Sequence, residues 1–458
     1  MDFSTPPEDL GAVKFVLASH EWQYRGEGNA KIAISLPAEK KVVLLPKSDK
    51  TDNINNSDFW HWISTNVKFI NCIMKPIFGD MFVSSPSLVY LSSYDIQLLN
   101  ETLASVRPEK RKDKELLLCG GELCSDHVYL PSSLSAFCKS KSFCIELKPK
   151  QGVFPLSERQ FRNCLFCRKQ QLKMKEGLVC QKSLYCPLDL FSGSWERMKN
   201  ALVSLLCSPQ NNLRIFHDGC LVYDEDHSDS DLQKVLMEWL PSVPKSNLVE
   251  RISSILLQAL TKDFSGIEGG KESPGGWVFE GAPPFDPEME SHVYSTRDAL
   301  PHLPQPPCNY DSQELPEGCI LRRLVEAQAV DNLGTALVHD LLKSHQQYSI
   351  SMDYSLKSES INYVNNILSK GCSSELDPIE RYLIAAVARD CSILITFQEL
   401  KEDCKEAQNL PQVVDEDSRT HFLCHIAAVD LEPKPMSCIN SQMKKKASIL
   451  EACQQPVL

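Results

Sequence analysis

Residues 143–152 read Phe-Cys-Ile-Glu-Leu-Lys-Pro-Lys-Gln-Gly. They carry the pair of side chains in this sequence best suited to chemistry. Ile145 and Leu147 alternate with Cys144, Glu146 and Lys148, the period of a buried strand. Pro149 has no N–H to donate and fixes its own φ, so the strand stops there. Lys148 and Lys150 are two apart, and in extended geometry they point the same way. An anion between them explains two like charges held at a strand end. A solvated lysine pair is the plainer alternative.

Charge is segregated in the same region. The chain of 458 residues has a formal net charge of −12, which argues against a general nucleic-acid binder. Yet Lys139, Lys141, Lys148, Lys150, Arg159, Arg162, Arg168, Lys169, Lys173 and Lys175 crowd one segment, opposed only by Glu146 and Glu158. Arg107, Lys110, Arg111 and Lys112 form a second basic cluster upstream. An acidic protein with one concentrated basic segment suits a compact, highly anionic ligand.

Other blocks hold further candidates. Gly26-Glu27-Gly28-Asn29 sits between two alternating stretches; it reads as an ordinary hairpin turn or as a loop whose amides approach phosphate. Asp390 lies between a helical apolar run and the strand-like Ile393–Phe397, and Asp430 follows another apolar strand. Cys164 and Cys167, then Cys180 and Cys186, have spacing that could bind zinc, although buried free thiols are the simpler reading.

These blocks, in this order, resemble the inositol-pentakisphosphate 2-kinases. The residues from Glu146 to Lys150 resemble that family's Glu-Ile-Lys-Pro-Lys motif, with Leu147 for isoleucine. Trp22 to Asn29 resembles its nucleotide loop, Gln210 to Phe216 its Gln-Asn-Asn segment, Tyr382 to Ile393 its Lys-Asp-Cys-Ser block, and Asp430 to Pro435 its Asp-Leu-Asp-Leu-Lys-Pro block. The resemblance implies ATP- and Mg²⁺-dependent phosphorylation of the 2-hydroxyl of inositol 1,3,4,5,6-pentakisphosphate. A catalytically degenerate inositol-polyphosphate binder is the alternative. The resemblance implies Asp390 as general base, and Lys148 as a catalytic cation that also contacts substrate. Lys150, Lys173, Arg111, Asn211, Asn212 and Lys434 are implied substrate contacts. Arg25, Gly26, Glu27, Gly28, Asn29 and Arg214 are placed at the nucleotide, and Asp430 on Mg²⁺. Departures stand at Leu45, where the family has arginine and Lys47 is the nearest substitute, at Lys169 for histidine, and at Glu432 for a second aspartate. Plant relatives carry a His/Cys zinc site before the block of Asp390; no Cys-x-x-Cys accompanies His339 and His345 here, and no zinc is expected there.

The elements that must position these residues are legible in outline. The chain is too long for one ordinary core. The expected class is α+β, a two-lobed kinase-like architecture. A strand-rich N-lobe covers 1–127 and a larger C-lobe 128–458. Strands are expected around Val13–Leu17, Lys31–Leu36, Val42–Leu45, Leu116–Leu118, Leu213–Phe216, Ser392–Phe397 and Phe422–Val429. Helices are expected over 57–80, 194–206, 321–342, 361–367 and 378–388. Gly120-Gly121 reads as a turn and Asp224–Asp231 as a polar loop. Residues 263–318 hold nine prolines and seven glycines and read as a mobile insertion. No apolar run reaches spanning length, and Met1–Gly11 is no signal peptide. Nineteen cysteines then point to reduced thiols in cytoplasm and nucleus. The expected partners are the inositol phosphate and ATP, with no nucleic acid, no membrane and a monomeric chain.

Overall fold

The computed structural model describes residues 6–49, 55–155, 158, 161–265, 308–309, 311–344, 356–370, 376–401, 407 and 409–454. The strands are β1 (Val13–Lys14), β2 (Gln23–Glu27), β3 (Lys31–Leu36), β4 (Lys41–Pro46), β5 (Ser48–Asp49), β6 (Ser87–Tyr90), β7 (Lys114–Glu115), β8 (Gly120–Ser125), β9 (Cys138–Leu147), β10 (Leu213–His217), β11 (Cys220–Tyr223), β12 (Ser392–Leu400), β13 (Gln412–Asp415) and β14 (Thr420–Val429). Among the described residues they form two six-stranded sheets, ordered β1-β6-β8-β4-β3-β2 and β11-β10-β9-β12-β14-β13, and a β5-β7 ribbon. Helices and sheets are mixed, an α+β chain.

The first sheet is built by alternation. Ile32, Ile34 and Leu36 turn inward from β3 and pack with Val43, Leu45 and the helix Ser93–Leu103 through Ile96, Leu99 and Leu103. Ser92 and Asp95 cap that helix reciprocally, satisfying amides with no partner in the first turn. Gly120 and Gly121 are not a turn; they open β8. A Cβ on Gly120 would sit 2.7 Å from the rings of Phe59 and Trp60, and one on Gly121 2.7 Å from the Leu44 carbonyl oxygen. These glycines serve close packing, a role that sequence cannot separate from turn formation.

The second sheet is antiparallel throughout. Its strand β9 lies between β10 and β12, and Cys144, Ile145 and Leu147 are all fully buried. Ile145 and Leu147 belong to the large helical core with Leu202, Leu205, Leu256 and Ile384. Cys144 packs on the opposite side with Val128, Phe216 and Leu394. Burial of one such large apolar side chain is worth about 1.5–3 kcal/mol, which fixes β9 in register at the centre of the molecule.

Several expected boundaries move for local reasons. The Val13–Leu17 strand is only Val13–Lys14, followed by a tight turn at Leu17–Ser19. Leu116–Leu118 lies between β7 and β8. The 57–80 helix runs as Asn56–Phe69, a wide π turn at Ile70–Met74, then Lys75–Phe78. The 321–342 helix divides into Ile320–Ala329 and Thr335–Ser344. The Asp331 side chain there accepts from the Leu333 and Gly334 amides, and Gly334 has φ +81°. The acidic loop ends early, because Ser228 and Asp231 form a capping box that starts the helix Asp229–Trp239. Most of the 263–318 stretch lies outside the described residues. Its last part is packed: the Gln313 amide donates to the Ser192 carbonyl at 2.7 Å and Leu315 is buried.

Candidate functional site

Antiparallel pairing brings four chain segments to one edge of the second sheet. Leu147 at the end of β9 is opposite Leu213 at the start of β10 and Ile393 near the start of β12. Ser392 is opposite Val429 at the end of β14. Residues just beyond these ends must therefore meet. They are Lys148, Asn212, Asp390 and Asp430. The Lys148 amide donates to the Asn212 carbonyl at 2.8 Å. Asp390 is the last residue of the helix Pro378–Asp390, whose start is set by Pro378 and a capping box between Asp377 and Glu380.

Backbone geometry turns the two lysines apart. Lys150 has φ +63° and Asp430 φ +62°, a left-handed conformation uncommon outside glycine. It is the kind of strain that persists at working sites. Lys150 is thus not in extended register with Lys148, and the two ammonium groups meet different carboxylates. Lys148 Nζ lies 3.4 Å from Asp430 Oδ2, and Lys150 Nζ lies 3.4 Å from Asp390 Oδ1. Lys434 Nζ approaches Asp390 Oδ2 at 3.0 Å.

The electrostatics follow from this packing. Burial opposes ionisation of Asp390, but Lys434 and Lys150 outweigh it and hold the carboxyl down at about 2. Burial likewise opposes the charge on Lys148, yet Asp430, Glu146 and Asp390 raise its pKa. For Lys150 burial wins and the pKa falls, Lys148 adding to the effect against Asp390. Lys173, on the helix Leu165–Lys175, falls to about 8 through burial and the nearby charges of Lys169 and Lys150. Its ammonium also meets Gln210 Oε1. The site is a cluster of cations balanced by the carboxylates of Asp390, Asp430 and Glu146.

Two residues of the cluster were not singled out from the sequence. Ser392 Oγ is 3.0 Å from Glu146 Oε1 and 2.9 Å from Asp430 Oδ2. One hydroxyl proton can satisfy only one of these acceptors at a time. Two carboxylates and a hydroxyl oxygen are hard donors that fit a divalent cation such as Mg²⁺. Glu146 also faces Arg214 Nη1 at 3.7 Å. Glu146 had a signal in the Glu-Leu-Lys-Pro-Lys run, and Ser392 in Asp-Cys-Ser, but their meeting depends on sheet register. Asn212 is buried, and its Nδ2 has no acceptor among the described residues, as suits a donor for a phosphate oxygen. Asn211 is exposed beside it.

The glycine hairpin joins β2 to β3 and is closed by the Gly28 amide on the Lys31 carbonyl at 3.0 Å. Gly28 and Asn29 are exposed at its tip. Arg25 and Glu27 point elsewhere. Arg25 pairs with Asp126 and reaches the Gly219 carbonyl beside β10. Glu27 is buried with Lys47 and with Arg107, whose Nε lies 2.8 Å away. Lys47 is therefore committed to Glu27 and does not stand in for an arginine at Leu45. Arg111 lies beside this cluster, its carbonyl accepting from Arg107. Of the side chains expected at the nucleotide, Arg25 and Glu27 are thus held in internal ion pairs, whereas Asn29 is exposed and Arg214 faces Glu146. Lys31 was also missed. Its Nζ is 2.8 Å from Glu122 of β8 and 2.6 Å from Glu432, joining the first sheet to the turn that follows Asp430. Glu432 is accordingly an ion-pair partner.

Comparison with known proteins gives a consistent result. The family model described as inositol-pentakisphosphate 2-kinase matches residues 24–448. The chain is 27% identical over 473 residues to the inositol-pentakisphosphate 2-kinase of Danio rerio, an alignment spanning 94% of this chain and 92% of that one. It is 23% identical over 480 residues to the Arabidopsis thaliana enzyme of that name, again spanning 94% and 92%. A Drosophila melanogaster protein of the same name is 27% identical over 314 residues, 45% of this chain and 49% of that one.

Proposed function

Since the chain belongs to the inositol-pentakisphosphate 2-kinase family and is a phosphotransferase, we propose that its sheet-edge cluster carries out transfer of the ATP γ-phosphoryl group to the 2-hydroxyl of inositol 1,3,4,5,6-pentakisphosphate. The carrying observation is the convergence of Lys148, Lys150 and Lys434 on Asp390 and Asp430. A pentakisphosphate carries roughly −8 to −10 near neutral pH, so it needs several cations and tolerates few carboxylates. Asp390 and Asp430 are what such a site keeps for chemistry.

The division of labour is as follows. Lys150, Lys173, Lys434 and Asn212 bind substrate phosphates. When phosphate oxygens take the ammonium groups of Lys150 and Lys434, Asp390 loses the partners that hold its pKa near 2. Its carboxylate then becomes a better acceptor for the hydroxyl proton. Lys148 faces charge developing on the transferring group, which needs positioned cations more than covalent help. Asp430, with Glu146 and Ser392 beside it, would hold Mg²⁺, which neutralises phosphate charge when bound. The Gly28–Asn29 tip would cover the ATP phosphates with backbone amides. Lys31 sets the spacing between that hairpin and Asp430.

Two sheets with separate cores support a two-lobed, kinase-like arrangement with lobes near 1–127 and 128–458, with Phe69, Ile73, Phe78 and Phe82 of the first segment packing into the core of the second. Among the described residues no helix is long and apolar enough to cross a membrane. No disulfide joins two cysteines of the described residues, in keeping with a reducing compartment such as cytoplasm or nucleus. The test is incubation of the full chain with ATP, Mg²⁺ and inositol 1,3,4,5,6-pentakisphosphate, following ADP and identifying the inositol product. Hexakisphosphate is the expected product. Tight binding of pentakisphosphate without ADP release would favour the degenerate-binder reading, and a diphosphate-bearing product, formed by transfer to an existing phosphate, would refute the assignment to the 2-hydroxyl.

A further inference from the structure

Gln328 is fully buried on the helix Ile320–Ala329. Its side-chain amide touches the two segments that carry Lys150 and Asp390. Nε2 donates to the Lys150 carbonyl at 2.9 Å and to the Ala388 carbonyl at 3.2 Å, and Oε1 accepts from the Gly152 amide at 2.8 Å. Two acceptors and one donor fix which way the amide faces, and they use both of its N–H bonds. Lys150 lies 178 residues from Gln328 in sequence and Ala388 lies 60, so no local turn requires these contacts.

The contacts close a ring. From Gln328 one path runs through the backbone and side chain of Lys150 to Asp390, where Nζ lies 3.4 Å from Oδ1. The other runs through Ala388, in the last turn of the helix Pro378–Asp390 and two residues before Asp390. Carbonyls of a last helical turn have no partner within the helix, and the Gln328 amide supplies one. A lysine stem is flexible, so its ammonium is placed only as well as its backbone is. That backbone is left-handed, with φ +63°, a conformation that persists where neighbours over-determine it. Besides Gln328 the neighbours are the buried Tyr185, whose hydroxyl donates to the Pro149 carbonyl at 2.7 Å, and the Phe191 ring, which packs on Gly152 where a Cβ would collide. The helix end is tied a second time, by Arg389 Nη2 at 2.6 Å from Oδ2 of the buried Asp331, three residues beyond Gln328.

We propose that Gln328 is a positioning residue for phosphoryl transfer: its amide holds the left-handed Lys150 turn and the end of the Asp390 helix at the spacing that seats a substrate phosphate on Lys150 while the neighbouring 2-hydroxyl meets Asp390. It touches neither substrate nor the transferring group. A side chain of like volume without the amide fills the space but leaves two carbonyls and one N–H without their partner, and the turn relaxes. A displacement of about 1 Å at the reacting atoms costs about 100-fold in rate. This role rests on the reading of Lys150 as a phosphate ligand and of Asp390 as the base.

Gln328→Met in the full chain is the test, with Leu324→Ala, in the same helix and core, as the control. Gln328→Met should raise substrate KM about tenfold and lower kcat about 10- to 100-fold, with ATP KM unchanged. Leu324→Ala should lower the urea midpoint at least as much, yet leave substrate KM within about twofold of the parent. Two double mutants decide the matter. In the Lys150→Ala background Gln328→Met should add little to substrate KM, and in the Asp390→Asn background little to the loss of kcat, because residues that act through one another are not additive. Additive effects in either background, or a rise in substrate KM for Leu324→Ala as large as that for Gln328→Met, would overturn the positioning role. Should Gln328→Met not fold, Gln328→Asn, whose amide is too short to span the three partners, takes its place in the same cycles. Unchanged substrate KM in Lys150→Ala alone would overturn the phosphate reading and this role with it, whereas a raised KM there with additive double mutants overturns the role of Gln328 alone.

Discussion

Replacing Asp390 by Asn probes the chemistry at its centre. The amide keeps the shape of the carboxylate and can still accept from Lys434, but it cannot take the hydroxyl proton. The low carboxyl pKa of about 2 would correspond to about 2.5 kcal/mol of ion pairing if counted in full. Asp390 is 57% exposed, and water screens such pairs, so about 1 kcal/mol or less is the stability loss to expect. The catalytic loss is of another order. Removal of a general base costs about 10²–10⁴-fold, or about 3–5 kcal/mol on the barrier. Pentakisphosphate binding should hold or tighten, because Lys150 and Lys434 are released from a competing anion. Turnover measured beside calorimetric titration and urea unfolding separates the three quantities. A mutant with kcat within about threefold of the parent would remove Asp390 from proton transfer. A mutant that loses binding in proportion to turnover would make it a positioning group.

Three further outcomes follow from the same cluster. Lys150→Ala should raise substrate KM about tenfold or more with little effect on ATP KM, and substrate KM of the parent should rise with salt; equal salt effects on both substrates would count against the assignment. Lys173, with its pKa lowered to about 8, is charged below that pH and loses its charge as pH rises through it. Substrate KM should therefore climb above about pH 8, and Lys173→Arg should abolish the climb; a flat profile to pH 9.5 (roughly 3% charged) would exclude this lysine from phosphate binding. Lys31→Met should destabilise the chain by about 3–5 kcal/mol in urea unfolding, because Glu122 stays buried with no cation. Pairing it with Glu122→Leu should restore most of the loss, and an additive double mutant would refute the buried pair.

Much of the site was written in local sequence. A strand ended by Pro149, a helix ended at Asp390 and an apolar strand before Asp430 are each fixed by propensity, capping and period-2 burial within about a dozen residues. These signals place a functional residue at the end of an element. They do not say which ends lie together. The glycine hairpin was equally plain as a turn, but the inward aim of Arg25 and Glu27 was not, because a buried ion pair with Asp126, Lys47 or Arg107 depends on partners remote in the chain. The resemblance named the roles; it did not show that Lys47 is consumed by Glu27 or that Glu432 pairs with Lys31.

The sequence by itself determined the element types, the positions where elements stop and the kinds of charge left at those stops, since each is settled by backbone chemistry and near neighbours. Tertiary structure alone decided which stops converge. Antiparallel register set Lys148, Asn212, Asp390 and Asp430 on one sheet edge. A left-handed turn at Lys150 sent two lysines to different carboxylates. Cys308 joined Cys164, Cys167 and Cys186 in one cluster and left the nearer Cys180 outside it. Distances across 122 residues of chain are fixed by the packing of whole elements, and no periodicity in the intervening sequence records them.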